Sequence, residues 1–238
     1  MKLVLGPSLG TSAATLWSAC AELLADDFEV VAWDLPGHGG EPVTGPVTIA
    51  DLAARVLDRV DGPFCYAGDS VGGAVGLQLA LDAPDRVRGV VALCTGAKIG
   101  TAEGWQERIE QVRASGTPSL VAASAGRWFG PGFLDREPAR ASALLHALSD
   151  AADEGYVAVC AALAAFDVRD RLGEIAVPVL AVAGADDAVC PPELLREVAD
   201  GVPGGRYAEL PGVAHLAPAE APEAVADLIR EHCREANS

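Results

Sequence analysis

Six short apolar runs, separated by segments with helical periodicity, constrain this chain more than any other feature. Leu3–Leu5, Phe28–Trp33, Phe64–Ala67, Val87–Leu93, Val177–Ala183 and Arg206–Leu210 are predicted strands. Most are apolar on both faces, as strands in a parallel sheet covered on both sides must be. Between them, Ile49, Leu52, Ala53, Val56 and Val60 form one helical stripe after Thr48, a good N-cap residue. Pro191-Pro192 opens a second helix ahead of Leu194, Leu195 and Val198, and Val225, Leu228, Ile229 and His232 mark a third near the C-terminus. Repeated strand–helix units of this kind predict an α/β fold, doubly wound, with right-handed crossovers.

One stretch breaks the alternation. From about Lys98 to Arg171 there are helical patterns, such as Trp105, Ile109, Val112 and later Tyr156, Cys160, Leu163, but no convincing strand. The expected organisation is a core of residues 1–97 and 171–238 with a helical cap, 98–170, inserted between two strands. The cap would then sit at the carboxyl end of the sheet, where open α/β sheets hold their ligands.

The 238 residues suit one compact domain. With 17 basic against 34 acidic side chains, the net charge of −17 argues against nucleic acid or an anionic membrane surface as partner, because both need clustered cations. No basic leader followed by an apolar segment opens the sequence, and no apolar run approaches the roughly 20 residues of a membrane span. A cytoplasmic location with no membrane association is expected. The six cysteines (Cys20, Cys65, Cys94, Cys160, Cys190, Cys233) show no CxxC pair and read as reduced core thiols, so no metal site is expected.

Gly68-Asp69-Ser70-Val71-Gly72-Gly73 follows the Phe64 strand and opens a helix running through Leu81. This is a G-x-S-x-G elbow in its strand–turn–helix context, in which the serine hydroxyl projects at a helix N-terminus. A serine needs a base to take its proton. Of the four histidines, His215 lies in a Pro/Gly loop after the last strand. His38, in Pro36-Gly37-His38-Gly39, reads as a turn residue, and His146 and His232 as packing or surface residues. Asp186 and Asp187, after the penultimate strand, are both candidates for the acid; either could instead cap a turn. The oxyanion donors expected are the backbone N–H groups of Val71 and of Leu9, in the loop after the first strand.

Ser, then Asp, then His is the chain order of the α/β-hydrolases. At these residues, and at Gly96–Thr101, Trp105, Arg108-Ile109, Arg127-Trp128-Phe129, Glu154-Gly155-Tyr156, Cys160–Leu163 and Phe166–Asp170, the chain resembles the 3-oxoadipate enol-lactonases of that superfamily. The resemblance implies an α/β-hydrolase fold with a mostly parallel sheet, helices on both faces and an inserted cap. It also implies a serine hydrolase that opens 3-oxoadipate enol-lactone to 3-oxoadipate in the β-ketoadipate pathway of aromatic catabolism, with no cofactor. The family pattern G-x-x-D-x-x-x-P, laid on Gly184 and Pro191, selects Asp187. Three departures stand out. Pro7-Ser8-Leu9-Gly10 replaces Asn-Ser-Leu-Gly, Asp69 puts a carboxyl where an apolar residue is usual, and the chain opens at the usual third strand, without the N-terminal strands of the family's fold. The Phe28–Trp33 strand is therefore expected at a sheet edge.

A lactone of this type carries a free carboxylate. Arg127, beside Trp128-Phe129, is the first candidate for its partner and Lys98 the second, with Trp128 beside the substrate. The global excess of −17 does not forbid a small anion, since charges beyond a Debye length of about 8 Å are largely screened. Three other readings stand beside the lactonase: a related carboxylic-ester or C–C bond hydrolase, a cofactor-free perhydrolase, and a non-catalytic ligand receptor. The oligomeric state is not legible in the sequence.

Overall fold

A computed structural model describes residues 1–236. Strand β1 (Lys2–Gly6) leads into helix α1 (Ala13–Leu24), followed by β2 (Glu29–Ala32), α2 (Ile49–Arg59), β3 (Phe64–Asp69), α3 (Val71–Asp82) and β4 (Val87–Leu93). Five helices follow with no strand among them: α4 (Ala102–Ser115), α5 (Val121–Trp128), α6 (Phe133–Arg136), α7 (Pro138–Asp150) and α8 (Asp153–Ala165). The chain then returns through β5 (Val179–Gly184), α9 (Pro192–Gly201), β6 (Arg206–Leu210), α10 (Ala217–Glu220) and α11 (Pro222–Glu235). Every predicted strand forms, with ends moved by at most two residues.

The six strands make one sheet in the order β2-β1-β3-β4-β5-β6, and every pairing is parallel. The mostly parallel sheet expected is observed, and among the described residues every pairing is parallel. Central strands β3 and β5 are buried at every residue, whereas β2 and β6 at the edges are partly exposed. The edge position expected for the Phe28–Trp33 segment is observed.

The strand order fixes where a ligand can bind. From β1 the chain crosses outward to β2, and from β3 it crosses the other way to β4, so the carboxyl ends of β1 and β3 flank the topological switch point. Those two ends carry the Leu9 loop and Ser70. Local signals support the flanking helices. Ser12 caps α1 in a reciprocal box with Thr15, and Thr48 caps α2 in another with Asp51. Fully buried Trp17 donates from Nε1 to the Gly6 carbonyl at 2.9 Å, and fully buried Tyr66 donates to the Gly72 carbonyl at 3.0 Å. Both aromatic side chains thus brace the switch point from within the core.

Helix α3 approaches β1 so closely that side chains are excluded. A Cβ on Gly72 would lie 2.6 Å from the Pro7 carbonyl oxygen, and one on Gly68 would lie 2.3 Å from the Gly72 carbonyl oxygen. Gly126, exposed within α5, has open space around the same position. Gly72→Ala is expected to lower stability by about 1–3 kcal/mol through overpacking and to displace the elbow. Gly126→Ala is expected to raise it by about 0.5–1 kcal/mol through helix propensity. Urea unfolding of both variants checks the contrast, and equal effects would show that the close approach is not a constraint.

Candidate active site

The nucleophile position is set by backbone geometry. Ser70 has φ 54° and ψ −117°, a left-handed conformation that a non-glycine residue adopts only when its surroundings hold it there. The surroundings do hold it. The Ser70 amide donates to the Leu93 carbonyl at 2.9 Å, and its carbonyl accepts from the Thr95 hydroxyl at 2.7 Å. The side chain is thereby aimed out of the sheet at the N-terminus of α3.

His215 is brought to Ser70 from 145 residues away, its Nε2 lying 3.0 Å from the serine Oγ. On the other side of the ring, Nδ1 lies 2.9 Å from Asp187 Oδ2. The second oxygen of Asp187 accepts from the amides of Val189 (2.8 Å) and Cys190 (2.9 Å), so its charge is satisfied and its orientation fixed. All three side chains are buried. Asp186 instead is exposed, its amide bonded to the Val213 carbonyl, which decides between the two aspartates. The remaining histidines are elsewhere. His38 bonds the Pro36 carbonyl and stacks on Tyr156, His146 is exposed on α7, and His232 is buried against the Pro178 carbonyl.

The Leu9 loop is tied without the asparagine usual in such loops. The Ser8 amide donates to the Thr11 hydroxyl (3.2 Å), that hydroxyl donates back to the Ser8 carbonyl (2.9 Å), and the Gly72 amide donates to the Pro7 carbonyl (3.0 Å). The last bond locks the loop to the first turn of α3. Among the described residues neither the Leu9 nor the Val71 amide donates to a protein atom, and both lie beside Ser70. They are available to an oxyanion.

A cavity of about 210 Å³ opens over Ser70 and His215. Leu9 and Ser8 line it from below, and the cap supplies Trp105, Arg108, Arg127, Trp128 and Tyr156. Its lining contains two arginines and no acidic residue. Arg127 is desolvated by burial and also faces the charge of Arg108, and both effects push its guanidinium below its ordinary pKa. Among the described residues neither arginine makes an ion pair, although the chain has 34 acids to offer. Lys98 is a correction: its ammonium is paired with Asp167 at 3.2 Å, and it does not line the cavity. Arg108, in contrast, lines the cavity. Its signal was present in the spacing of Thr101, Gly104, Trp105 and Arg108, which share one face of α4 and all line the cavity.

Donor atoms of Asp187, Cys190 and His215 fall within 4.8 Å of one another. The aspartate and histidine are already bonded to each other, and burial pushes the Cys190 thiol well up, opposing the thiolate a metal would need. The six cysteines are buried as thiols, consistent with core packing. No helix among the described residues is long and apolar enough to cross a membrane.

A strained serine at a strand–helix elbow, bonded to a histidine that is bonded in turn to an aspartate, beside two unoccupied amides, is the constellation of a serine hydrolase. The chain belongs to the alpha/beta hydrolase family, whose model matches residues 3–228, and it is a hydrolase. It is 38% identical over 194 residues to 3-oxoadipate enol-lactonase 2 of Acinetobacter baylyi, covering 79% of this chain and 72% of the relative. It is 27% identical over 233 residues to a pimeloyl-acyl-carrier-protein methyl ester esterase of Yersinia enterocolitica, covering 94% and 90% of the two chains. The crystal structure of the enol-lactonase from Burkholderia xenovorans LB400 superposes with a TM-score of 0.93 at 32% identity, covering 98% of this chain and 90% of that one.

Asp69 directly precedes the nucleophile; its carboxyl is fully buried and neither oxygen has a partner within hydrogen-bonding geometry, although the Ser8 hydroxyl is near enough to act on its pKa. Burial first, then the nearby charge of Asp187, holds its pKa well above the ordinary value, so the group is neutral when other carboxylates are ionised. The sign of the linkage follows. An unfolded chain releases this proton near the ordinary carboxylate pKa while the folded chain keeps it, so above that pKa the unfolded state binds fewer protons and stability falls as pH rises. Asp69→Asn removes the titration. Its stability advantage over wild type is expected to be smallest near pH 4 and to widen toward neutrality in urea titrations; a gap independent of pH would mean that Asp69 is ionised in the fold.

Proposed function

We propose that this hydrolase opens a small anionic enol-lactone, converting 3-oxoadipate enol-lactone to 3-oxoadipate in the β-ketoadipate route of aromatic catabolism. The observation that carries the substrate class is the pair Arg108 and Arg127, two cations without carboxylate partners sharing the cavity with Ser70 and His215. Guanidinium groups held in a cavity with no acidic lining favour a carboxylate ligand. The similarity to enol-lactonases, at 38% identity in one relative, supports the same reading.

The reaction follows from the site. Ser70 Oγ attacks the lactone carbonyl carbon while His215 Nε2 accepts the hydroxyl proton, and Asp187 holds the imidazole tautomer and stabilises the imidazolium. Charge that develops on the carbonyl oxygen meets the Leu9 and Val71 amides, each worth about 3–4 kcal/mol in such a transition state. Collapse breaks the ring C–O bond and expels an enolate, a better leaving group than a simple alkoxide. Proton transfer from the imidazolium to the enolate gives the ketone. Water, deprotonated by His215, then attacks the acyl-enzyme, and breaking the ester bond returns that proton to Ser70 Oγ and releases the new carboxylic acid, which loses its proton to solvent. No step calls on a cofactor. The substrate's existing carboxylate is bound by Arg127 and Arg108, against Trp128.

Ser70→Ala is expected to lower turnover of the lactone by several orders of magnitude. Arg127→Ala and Arg108→Ala are each expected to raise KM for the lactone about 10- to 100-fold, the loss of a hydrogen bond to a charged group of about 1.5–3 kcal/mol, with little effect on a small neutral ester. Steady-state kinetics on both substrates decide. Wild-type turnover of the ester without the lactone would remove the lactonase reading in favour of a carboxylic-ester hydrolase.

A further inference from the structure

Glu220 lies outside the triad and does not line the cavity, yet its carboxylate joins the two parts of the protein that meet at the site. Oε1 accepts from the Ala214 amide at 3.0 Å, one residue before the catalytic histidine. Oε2 accepts from the Gly130 amide at 2.6 Å, two residues after Trp128 and three after Arg127. Beside these bonds, the His215 amide donates to the Trp128 carbonyl at 3.1 Å. The approach is close enough that a Cβ on Gly130 would lie 2.3 Å from the Gly212 carbonyl oxygen. Arg140, on α7, adds a bond to the Ala219 carbonyl at 2.9 Å.

A carboxylate is suited to this place because its two oxygens can each accept from an amide at once, one on each segment. Glu220 is half-buried, and desolvation raises its pKa above the ordinary value, while the two amides act in the opposite sense. A surface glutamate would not need such donors.

We propose that Glu220 is a positioning residue that latches the substrate-gripping segment 127–130 to the loop carrying His215, so that the cap's grip and the base's aim are set together. The latch rests on the reading of Ser70, Asp187 and His215 as the reacting groups and of Arg127 as a carboxylate contact. It requires coupling between two functions that are otherwise separate. Loss of Glu220 should misplace His215 and shift Arg127 in the same event.

The test compares Glu220→Ala, which removes both acceptors, with Glu220→Gln, which keeps the size but presents an NH2 to one of the two amides. Substrates are a neutral 4-nitrophenyl ester and the 4-nitrophenyl monoester of a dicarboxylic acid. Glu220→Ala is expected to lower kcat on both by on the order of 100-fold, as a displacement of about 1 Å does, and to raise KM for the anionic ester only. Glu220→Gln should fall between. In a double-mutant cycle, Arg127→Ala should raise KM for the anionic ester strongly in wild type and weakly in the Glu220→Ala background. Hydrogen exchange supplies a readout independent of turnover, with the His215 and Gly130 amides expected to lose protection together in both variants. Additive effects of the two substitutions on KM, or loss of protection confined to one segment, would overturn the latch. An enzyme active on the esters but not on the lactone would remove the lactonase reading and leave the latch in place.

Discussion

Backbone contact between the first turn of α3 and the end of β1 is the constraint on which the rest of the site depends. The Gly72 amide donates to the Pro7 carbonyl, and no side chain fits between the two segments. This contact ties the loop carrying Leu9 to the helix that opens at Val71. It also explains the strain at Ser70, since a chain that ran from β3 into α3 with ordinary dihedrals would not bring the helix onto β1. Trp17 and Tyr66 transmit the same constraint into the core by bonding the carbonyls of Gly6 and Gly72. Stability and site geometry are therefore one problem in this part of the fold.

Charge is sorted by donors rather than by number. Three carboxyl groups lie around His215, and they differ in the N–H groups each receives. Asp187 accepts from two amides and the imidazole, and Glu220 from two amides, whereas neither oxygen of Asp69 has a partner in hydrogen-bonding geometry and burial raises its pKa. Many arginines elsewhere sit in exposed ion pairs, such as Arg206 with Glu231 and Glu235 or Arg230 with Asp27, where screening leaves each pair little net stabilisation. Arg108 and Arg127 line the cavity and, among the described residues, make no ion pair. A chain with net charge −17 can thus present a locally positive pocket.

Much of this was legible from local pattern. Doubly apolar runs gave away β3, β4 and β5, and Thr48 ahead of its stripe gave away α2. Gly-x-Ser-x-Gly marked the elbow because a sharp strand-to-helix turn needs small neighbours at known offsets. His215 and Asp187 were readable from their loops after the last two strands together with the resemblance. Charge alone did not separate Lys98 from Arg108, although Arg108 shares helical spacing with Gly104 and Trp105. Both precede or open the cap, and what distinguishes them is whether a carboxylate lies within reach: Asp167 reaches Lys98, and none reaches Arg108. Glu220 carried no signal of its own, since one glutamate in a short helix resembles any other.

The sequence by itself determined the order of elements, the parallel sheet and the residue types that can serve as nucleophile, base and acid. Those follow from periodicity and from short-range sterics, which act over a few residues. Tertiary structure decided which charges are buried and which are paired: the burial of Asp69, the ion pair of Lys98 with Asp167, the cavity shared by Arg108 and Arg127, and the bridge made by Glu220. Ionisation and pairing depend on burial and on donors brought from up to 145 residues away in the chain, and no local pattern encodes those distances.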